Sequence, residues 1–309
     1  MSFYREQNRS RLTVGHDGNS LVMLIAVNLV VFILLAFIKV VYYFTYGKEG
    51  VLIYQDNVLD WVALPASLQV FITRPWTLLT HFIVHDSVWH IIANMLWLWA
   101  FGYILQDLAG NRKLIPIFIY GALAGAAAYM LACNLLPPLR ENLAASSALG
   151  ASAGVMAIAI ATTVLAPNYR IFPLLNGGIP LWVLTLIFVI IDLATIPYNN
   201  AGGHIAHLAG AGTGFVLVGL LRKGYDWSTW MNNFYDWINN LFNPDKPAKG
   251  KEVKTQLFYK SSVKPFKKTS NVTQQRIDDI LDKINQKGYG SLSDEEREIL
   301  TRASREDLL

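Results

Sequence analysis

The first part of the chain has very little charge, and the whole chain has almost no cysteine. Charged residues make up 16% of the 309 residues, whereas about 25% is typical of soluble domains. Residues 1–222 hold only 11 of the 26 basic and 9 of the 22 acidic side chains. This scarcity excludes a disordered chain and argues against a soluble globular one. Because Cys133 is the single cysteine, a disulfide framework and a thiolate metal cluster are excluded as well.

Long apolar runs take the place of the missing charge. A membrane span needs roughly 20 mostly apolar residues. Six runs meet this need: 20–45, 88–107, 114–136, 146–166, 179–197 and 203–221. They predict an all-α membrane protein whose residues 20–222 form a bundle of six transmembrane helices. The small basic excess lies mostly in the tail and is explained by a lipid surface, so a lipid bilayer is the expected partner and nucleic acid is not.

Basic residues in the connections predict the orientation of these spans. Arg112 with Lys113, Arg170, and Arg222 with Lys223 fall on the same side as the polar leader, residues 1–19. The positive-inside rule assigns that side to the cytoplasm. We therefore expect both termini in the cytoplasm of a multi-pass protein of a bacterial inner membrane. The first span is expected to be retained and not cleaved as a signal peptide, and the leader before it carries Arg5, Arg9 and Arg11.

The remaining segments predict structure outside the spans. The connection 46–80 is long for a loop and carries Trp61 and Trp76, which favours an interfacial position. The C-terminal extension divides into an interfacial amphipathic helix at 223–243, a basic linker at 244–272 and a small helical hairpin at 273–309. A capping box formed by Ser293 and Glu296 predicts the start of the second hairpin helix.

Three polar groups inside the spans share one predicted depth. The steps from Ser152 to Pro167 and from His207 to Arg222 each correspond to roughly 22 Å of helix above the cytoplasmic end. Asn94 lies at roughly 20 Å by the same rule. Because polar groups are costly in a membrane, they are candidates for function. Small residues beside them permit close helix packing, and these are Gly150, Gly154, Gly210 and Gly214.

This set of residue types suits nucleophilic hydrolysis. A serine hydroxyl is a weak nucleophile until a base takes its proton, and an imidazole such as that of His207 titrates near neutral pH. His90 and Asn94, one turn apart, together with the Ser152 backbone N–H, would stabilise the resulting oxyanion. Asp192 in the fifth span is interpreted as lying near the wrong end to be a third member. The sequence therefore predicts a Ser–His dyad formed by Ser152 and His207.

Competing chemistries lack the residues that they need. A zinc protease would need His-Glu-x-x-His, and no carboxylate or thiolate completes a metal set around His81 and His85. An aspartyl protease would need a second intramembrane aspartate beside Asp192, and a transporter would be expected to show internal repeats. No metal or cofactor is expected. A catalytically silent protein that binds transmembrane helices stays as the alternative, with a channel or transporter as a third class.

Four separated motifs resemble the rhomboid family of intramembrane serine proteases. They are Pro75-Trp76 with Thr80, the set His81, His85, His90 and Asn94, then Gly150-Ala151-Ser152, and finally Ala206-His207-Leu208-Ala209-Gly210. The resemblance covers roughly residues 20–222 of a bacterial-type chain with a cytoplasmic extension. It implies a six-helix bundle whose fourth helix starts deep, below a water-filled cavity.

The resemblance also implies residue roles and a substrate class. Ser152 would be the nucleophile of a serine endopeptidase, His207 its base, and His90 and Asn94 the oxyanion donors. The substrates would be transmembrane segments of other membrane proteins. The supporting positions carried over with these roles are Gly150, Gly154, Gly210, His85 and Met156.

Three positions depart from the family pattern. Thr77 follows Trp76 where the family often has arginine, and Ala153 follows Ser152 where glycine is usual. Met156 occupies a position, one turn after the serine, that is usually aromatic. A contact with His207 would there become a sulfur–aromatic one.

Overall fold

The computed structural model describes residues 19–172, 177–241 and 274–306, which belong to two compact units, 1–244 and 245–309. The leader up to residue 18 with Arg5, Arg9 and Arg11, and the linker 244–272, lie outside the described residues. In chain order, the helices of the first unit are α1 (Ser20–Tyr46), α2 (Gly50–Asn57), α3 (Leu68–Thr73), α4 (Thr77–Thr80), α5 (Val88–Ala109), α6 (Asn111–Leu135), α7 (Pro137–Arg140), α8 (Ser152–Leu165), α9 (Leu181–Thr195), α10 (Ala201–Arg222) and α11 (Ser228–Asn239).

The apolar helices are of two lengths. By length and composition, α1, α5, α6 and α10 can cross a membrane, and the helical run that begins with α1 continues through short helices to Trp61. α8 and α9 are apolar but shorter, with 14 and 15 residues. The expectation of an all-α membrane protein is confirmed: the described strands are two-residue pairs, β1 (Leu64–Pro65) with β2 (Ser147–Ala148) and β3 (Arg170–Ile171) with β4 (Ile179–Pro180).

The fourth apolar run is helical only from Ser152, six residues later than the predicted start at 146. The preceding residues are extended because β2 pairs with β1, with Ala148 opposite Leu64. Gly150 then has φ +116°, a conformation that L-residues with a side chain rarely adopt. Its backbone N–H donates to the His81 carbonyl oxygen over 2.8 Å. These contacts place Ser152 at the very first turn of α8.

α8 lies at the centre of the bundle and packs against α5, α6, α9 and α10. Ten of its 14 residues are buried. Alanine, glycine and threonine dominate its sequence, and such small side chains allow neighbouring backbones to approach closely. A Cβ atom at Gly210 of α10 would lie 2.1 Å from the Ala153 carbonyl oxygen, so only glycine fits there. A Cβ atom at Gly154 would meet the ring of Phe118 on α6 at 2.6 Å.

The connection between α1 and α5 folds into short elements of its own. It contains α2, α3 and α4, and Trp61 stacks on Trp76 with ring centroids 6.1 Å apart. The Arg74 guanidinium lies 4.2 Å from the centre of the Trp61 ring and donates to the Asp60 carbonyl oxygen over 2.9 Å. The arginine that precedes Trp76, rather than one after it, therefore holds this connection together.

The second unit is a small helical hairpin. α12 (Gln274–Lys287) and α13 (Asp294–Glu306) are joined through the 3₁₀ turn Tyr289–Ser291. The Ser293 N–H donates to Glu296 Oε2 over 2.8 Å, and the Glu296 N–H donates to Ser293 Oγ over 3.3 Å, which is the predicted capping box. Hydrogen bonds from Lys283 and then from the Ser293 N–H lower the pKa of Glu296.

Candidate functional site

Two side chains from different helices meet at the first turn of α8. Ser152 Oγ lies 2.7 Å from His207 Nε2, within ordinary hydrogen-bond distance. Ser152 begins α8, and His207 lies in the second turn of α10. The close contact of these helices at Gly210 brings the serine and the imidazole together.

A carboxylate stands on the other side of this imidazole. Asp192 Oδ1 lies 2.9 Å from His207 Nδ1. The interpretation that Asp192 is near the wrong end of its span is therefore wrong. Asp192 precedes the end of α9 by three residues, and His207 is the seventh residue of α10. Because α9 and α10 run antiparallel through a short turn, side chains at similar distances from that turn become neighbours.

His204 contacts the same carboxylate, and no role was predicted for it. Its Nδ1 lies 2.7 Å from Asp192 Oδ1 and 3.3 Å from Thr195 Oγ1. Its Nε2 lies 3.4 Å from Asn199 Oδ1. His204 and His207 are three residues apart, so they share one face of α10. The i, i+3 spacing of the two histidines, opposite an intramembrane aspartate, was the sequence signal for this cluster.

His90 and Asn94 face the same region from α5. Both line an apolar groove together with Ser152 and His207. Asn94 donates one amide hydrogen to the His90 carbonyl oxygen over 2.9 Å. An amide group has two hydrogens, so the second is left for another acceptor. The His90 ring lies directly against Gly150, where a Cβ atom would approach Cε1 to 2.6 Å.

His81 and His85 shape the chain just before Ser152. The Ala151 N–H donates to His85 Nε2 over 3.4 Å, and the His81 Nδ1 lies 3.1 Å from the Thr77 carbonyl oxygen. Burial, followed by the charge of His90, lowers the pKa of His85 to about 4. His85 is therefore neutral at pH 7, and its Nε2 can accept the hydrogen bond that orients the turn before Ser152.

Two openings meet at the serine and the histidine. The first is a cavity of about 240 Å³, bordered by polar groups that include His81, Ser147 and Asn200. The second is the apolar groove of about 260 Å³ between α5, α8 and α9, lined by Trp97, Met156 and Phe188 among others. Met156, predicted to contact the imidazole, lines the same groove as His207. A polar solute and an apolar segment can therefore both reach these groups.

The two histidines and the aspartate also form a group of metal-ligand atoms. The ligand atoms of Asp192, His204 and His207 all lie within 4.8 Å of one another. The sequence analysis expected no metal, and the sets that it weighed were His-Glu-x-x-His and the pair His81 and His85, not this one. The chemistry of the set, two imidazoles and one carboxylate, is nevertheless one that transition metals accept.

Comparisons with known proteins agree with this architecture. Residues 73–224 match the model of the rhomboid domain family, and residues 266–306 match a family of unknown function (DUF6576). "RHOMBOID-like protein 12, mitochondrial" of Arabidopsis thaliana is 26% identical over 160 residues, covering 49% of this chain and 48% of that protein.

Bacterial relatives match over a shorter stretch. "Rhomboid protease GlpG" of Pectobacterium atrosepticum is 32% identical over 68 residues, covering 22% of this chain and 24% of that protein. The GlpG of Salmonella newport is 36% identical over 72 residues, covering 23% and 26%. The chain thus matches about half of the plant relative and about a quarter of the bacterial ones.

The fold and the site define one class: an all-α membrane bundle with a short central helix, whose first turn holds a serine within hydrogen-bond distance of a histidine. The chain contains a rhomboid domain, residues 73–224, and is related to proteins of the rhomboid family.

Proposed function

We propose that this chain is an intramembrane serine endopeptidase that hydrolyses peptide bonds in or near transmembrane segments of other membrane proteins. The observation that carries the proposal is the 2.7 Å contact between Ser152 Oγ and His207 Nε2. In the His207 tautomer that carries its proton on Nδ1, the Ser152 hydroxyl donates to Nε2, which directs the hydroxyl proton at the base. A rhomboid-like protein that only binds helices would have no use for this contact.

The proposed reaction begins when Ser152 Oγ attacks the scissile carbonyl carbon while His207 Nε2 takes the hydroxyl proton. The oxyanion that forms needs hydrogen-bond donors. The Ser152 N–H belongs to the first turn of α8, where backbone N–H groups have no partner within the helix. The free amide hydrogen of Asn94 and a ring N–H of His90 supplement it. Each such donor typically contributes about 2.7–4 kcal/mol of transition-state stabilisation.

The collapse of this intermediate returns the proton. His207 passes the Ser152 proton to the leaving amine as the peptide bond breaks, which leaves an acyl group on Ser152 Oγ. A water molecule from the polar cavity then gives a proton to His207 and attacks the ester. The acid product leaves, and Ser152 regains its hydrogen. The cavity of about 240 Å³ has room for that water.

Asp192 enters the proposal as a positioning residue. With Nδ1–H of His207 donated to Asp192 Oδ1 over 2.9 Å, the proton is held on Nδ1 and Nε2 stays free to accept. The carboxylate also stabilises the imidazolium that forms during attack. We therefore propose a serine, histidine and aspartate chain in place of the dyad expected from the sequence.

The second opening supports the proposed substrate class. The groove between α5, α8 and α9 is lined by Trp97, Met156 and Phe188 and includes Ser152 in its lining. Its apolar lining suits a transmembrane helix, while the polar cavity on the other side suits an extended, hydrated peptide. A transmembrane helix that unwinds near its end fits both: its helical part suits the groove and its unwound part suits the cavity.

The test is cleavage of a transmembrane reporter by the full chain in liposomes. Ser152→Ala and His207→Ala are expected to reduce cleavage to the uncatalysed background, whereas Ser146→Ala, six residues earlier, retains the wild-type rate. Asp192→Asn is expected to lower kcat by up to about 10⁴-fold, the cost of the corresponding exchange in triad proteases. Cleavage by folded Ser152→Ala would refute the mechanism, and retention of uncut reporter by an inactive wild type would favour a helix-binding protein.

We also propose an arrangement for the first residues of the extension. α11 is joined to the start of α6 by polar contacts: Lys113 Nζ pairs with Asp226 and donates to Ser228 Oγ over 2.8 Å. The exposed aromatic side chains of α11, with that of the preceding residue Trp227, are Trp230, Phe234, Tyr235 and Trp237. Aromatic rings of this kind favour the boundary between lipid and water.

We infer that α11 lies in the cytoplasmic interface, with both termini on that side. A cysteine introduced at position 232 should react with a membrane-impermeant thiol reagent only in inside-out vesicles. Reaction in right-side-out cells alone would reverse the proposed orientation.

A further inference from the structure

The proposed reaction leaves one partly buried polar side chain, that of His204, without a role. Asp192 Oδ1 is contacted by two imidazole nitrogens, at 2.7 Å from His204 and 2.9 Å from His207. Orientation of His207 requires the carboxylate alone. The side chain of Asp192 is 8% exposed and that of His204 14% exposed, so the second histidine is held inside the bundle at some cost in desolvation.

The three side chains form a set suited to a transition metal. One ring nitrogen of each histidine and a carboxylate oxygen lie within 4.8 Å of one another, and the nitrogens that contact Asp192 Oδ1 are the two Nδ1 atoms. Two histidines and one carboxylate are a known set of three protein ligands for zinc, with a fourth position left open. The histidines stand on one face of α10, and the carboxylate faces them from α9, so the ligands come from two directions.

The surroundings supply further groups that a bound ion needs. A metal-bound histidine usually donates its other ring N–H to an oxygen. The Nε2 of His204 lies 3.4 Å from Asn199 Oδ1, which can accept that hydrogen. Thr195 Oγ1, a further oxygen beside the set, lies 3.3 Å from His204 Nδ1. His207 also lines the polar cavity, which gives an ion a route to the site.

We propose that Asp192, His204 and His207 form an inhibitory site for a divalent transition-metal ion of the zinc type. The inference rests on the proposed function. On binding, the ion takes the Nδ1 lone pair of each imidazole, and each ring carries its single proton on Nε2. No net proton is lost, and the carboxylate contributes one oxygen.

The inhibition follows from this shift of one proton. Nε2 of His207 faces Ser152 Oγ at 2.7 Å. With the metal on Nδ1, Nε2 carries a hydrogen and can only donate, so it cannot take the serine proton. The ion therefore stops hydrolysis without touching Ser152. Mg²⁺ and Ca²⁺ prefer six or more oxygen ligands and should not compete at this site.

Binding is measured separately from activity. The full chain with Ser152→Ala, in detergent, is titrated with Co²⁺, whose visible absorption reports tetrahedral nitrogen and oxygen ligands. One equivalent is expected to bind and to be displaced by Zn²⁺. His204→Gln in this background should weaken binding by at least about tenfold, because even outer partners of a metal site are worth about 10–100-fold. An unchanged titration in His204→Gln would overturn the proposal.

The activity arm uses Zn²⁺ with the reporter, and each variant is compared with its own rate in the presence of a chelator. The cleavage rate of the wild type should fall at least about tenfold with Zn²⁺ and recover with chelator. An equal concentration of Mg²⁺ should leave the rate unchanged. His204→Gln should need at least about tenfold more Zn²⁺ for half inhibition.

Ser152-dependent cleavage that Zn²⁺ does not affect would defeat this inference alone. A wild type with no cleavage would defeat the proposed function, while the Co²⁺ titration would still decide the metal site.

Discussion

Two apolar helices of this bundle, α1 with the single charged residue Lys39 and α8 with none, differ in their surroundings. α1 has 27 residues, of which four are buried, and its large side chains, such as Phe37 and Phe44, point outward. α8 has 14 residues, of which ten are buried, and it is built mainly from small side chains. Hydropathy alone identifies the helix that faces lipid. The size of the side chains identifies the helix that carries the candidate site.

The largest effect that this contrast predicts is at the contact between α8 and α10. Gly210→Val should abolish the folded state, because a Cβ atom at this position would lie 2.1 Å from the backbone oxygen of Ala153, which cannot move aside. Overpacking of a core usually costs about 1–3 kcal/mol and sometimes more, and a backbone clash lies at the upper end. Recovery of monodisperse protein in detergent measures the outcome.

A matched control, Gly212, lies two residues further along the same helix. A Cβ atom at Gly212 would meet no atom within 4 Å. Gly212→Val should therefore fold and retain activity. If Gly210→Val and Gly212→Val behaved alike, close packing of α8 against α10 would not be what builds the site.

A smaller effect is expected inside α8 itself. Ile158 is fully buried at 0% exposure, so Ile158→Ala should lower the free energy of unfolding by about 2–5 kcal/mol. Ile33 on α1 is 62% exposed, and lipid solvates it in the folded and the unfolded helix alike. Ile33→Ala should hardly change the free energy of unfolding. Denaturation in mixed micelles measures both variants, and equal losses would remove the distinction between the two helices.

The smallest effect is expected where α11 joins α6, because that contact is polar and partly exposed. Burial raises the pKa of Asp226, but hydrogen bonds from Lys113 and Ser228 outweigh it and lower the pKa to about 2. A carboxyl group whose pKa is lower in the folded state stabilises that state at pH values above 3.8, the pKa in the unfolded chain. The contribution should therefore be complete at neutral pH and be lost as the pH falls from 3.8 toward about 2.

Hydrogen exchange of the α11 amides measures this contact. At pH 7, Asp226→Asn should cost no more than about 1 kcal/mol, as is usual for exposed pairs. Asp107→Asn, which changes an exposed carboxylate on α5, serves as the control. An α11 as strongly protected in Asp226→Asn as in wild type at every pH would mean that apolar contacts alone hold it.

The sequence predicted the all-α bundle and the family well, because long apolar runs and four ordered motifs are local signals. The depth argument also led to Ser152 and His207, whose side chains the structure brings together. It did not predict that α8 starts at Ser152 rather than at 146, because β2 pairs with β1 across more than 80 residues of chain. The hydropathy of the sequence does not mark where the short strand ends and the helix begins.

The main omission concerned the carboxylate. Asp192 precedes the end of α9 by three residues, and His204 and His207 are the fourth and seventh residues of α10, so all three lie within two turns of the connection between these helices. The depth of each polar group was predicted from the cytoplasmic end of its own span. Errors in the predicted bounds of two spans therefore add when their residues are compared. Only the packed helices show that His204 and His207 contact one oxygen of Asp192.

The central claim, that Ser152 is a nucleophile activated by His207, is tested most directly by covalent labelling. The full chain in detergent is treated with a fluorophosphonate, and the modified residue is located by mass mapping. We expect one label per chain, on Ser152, and none in a folded His207→Ala variant. Labelling of another serine alone, or undiminished labelling of Ser152 in His207→Ala, would contradict the account.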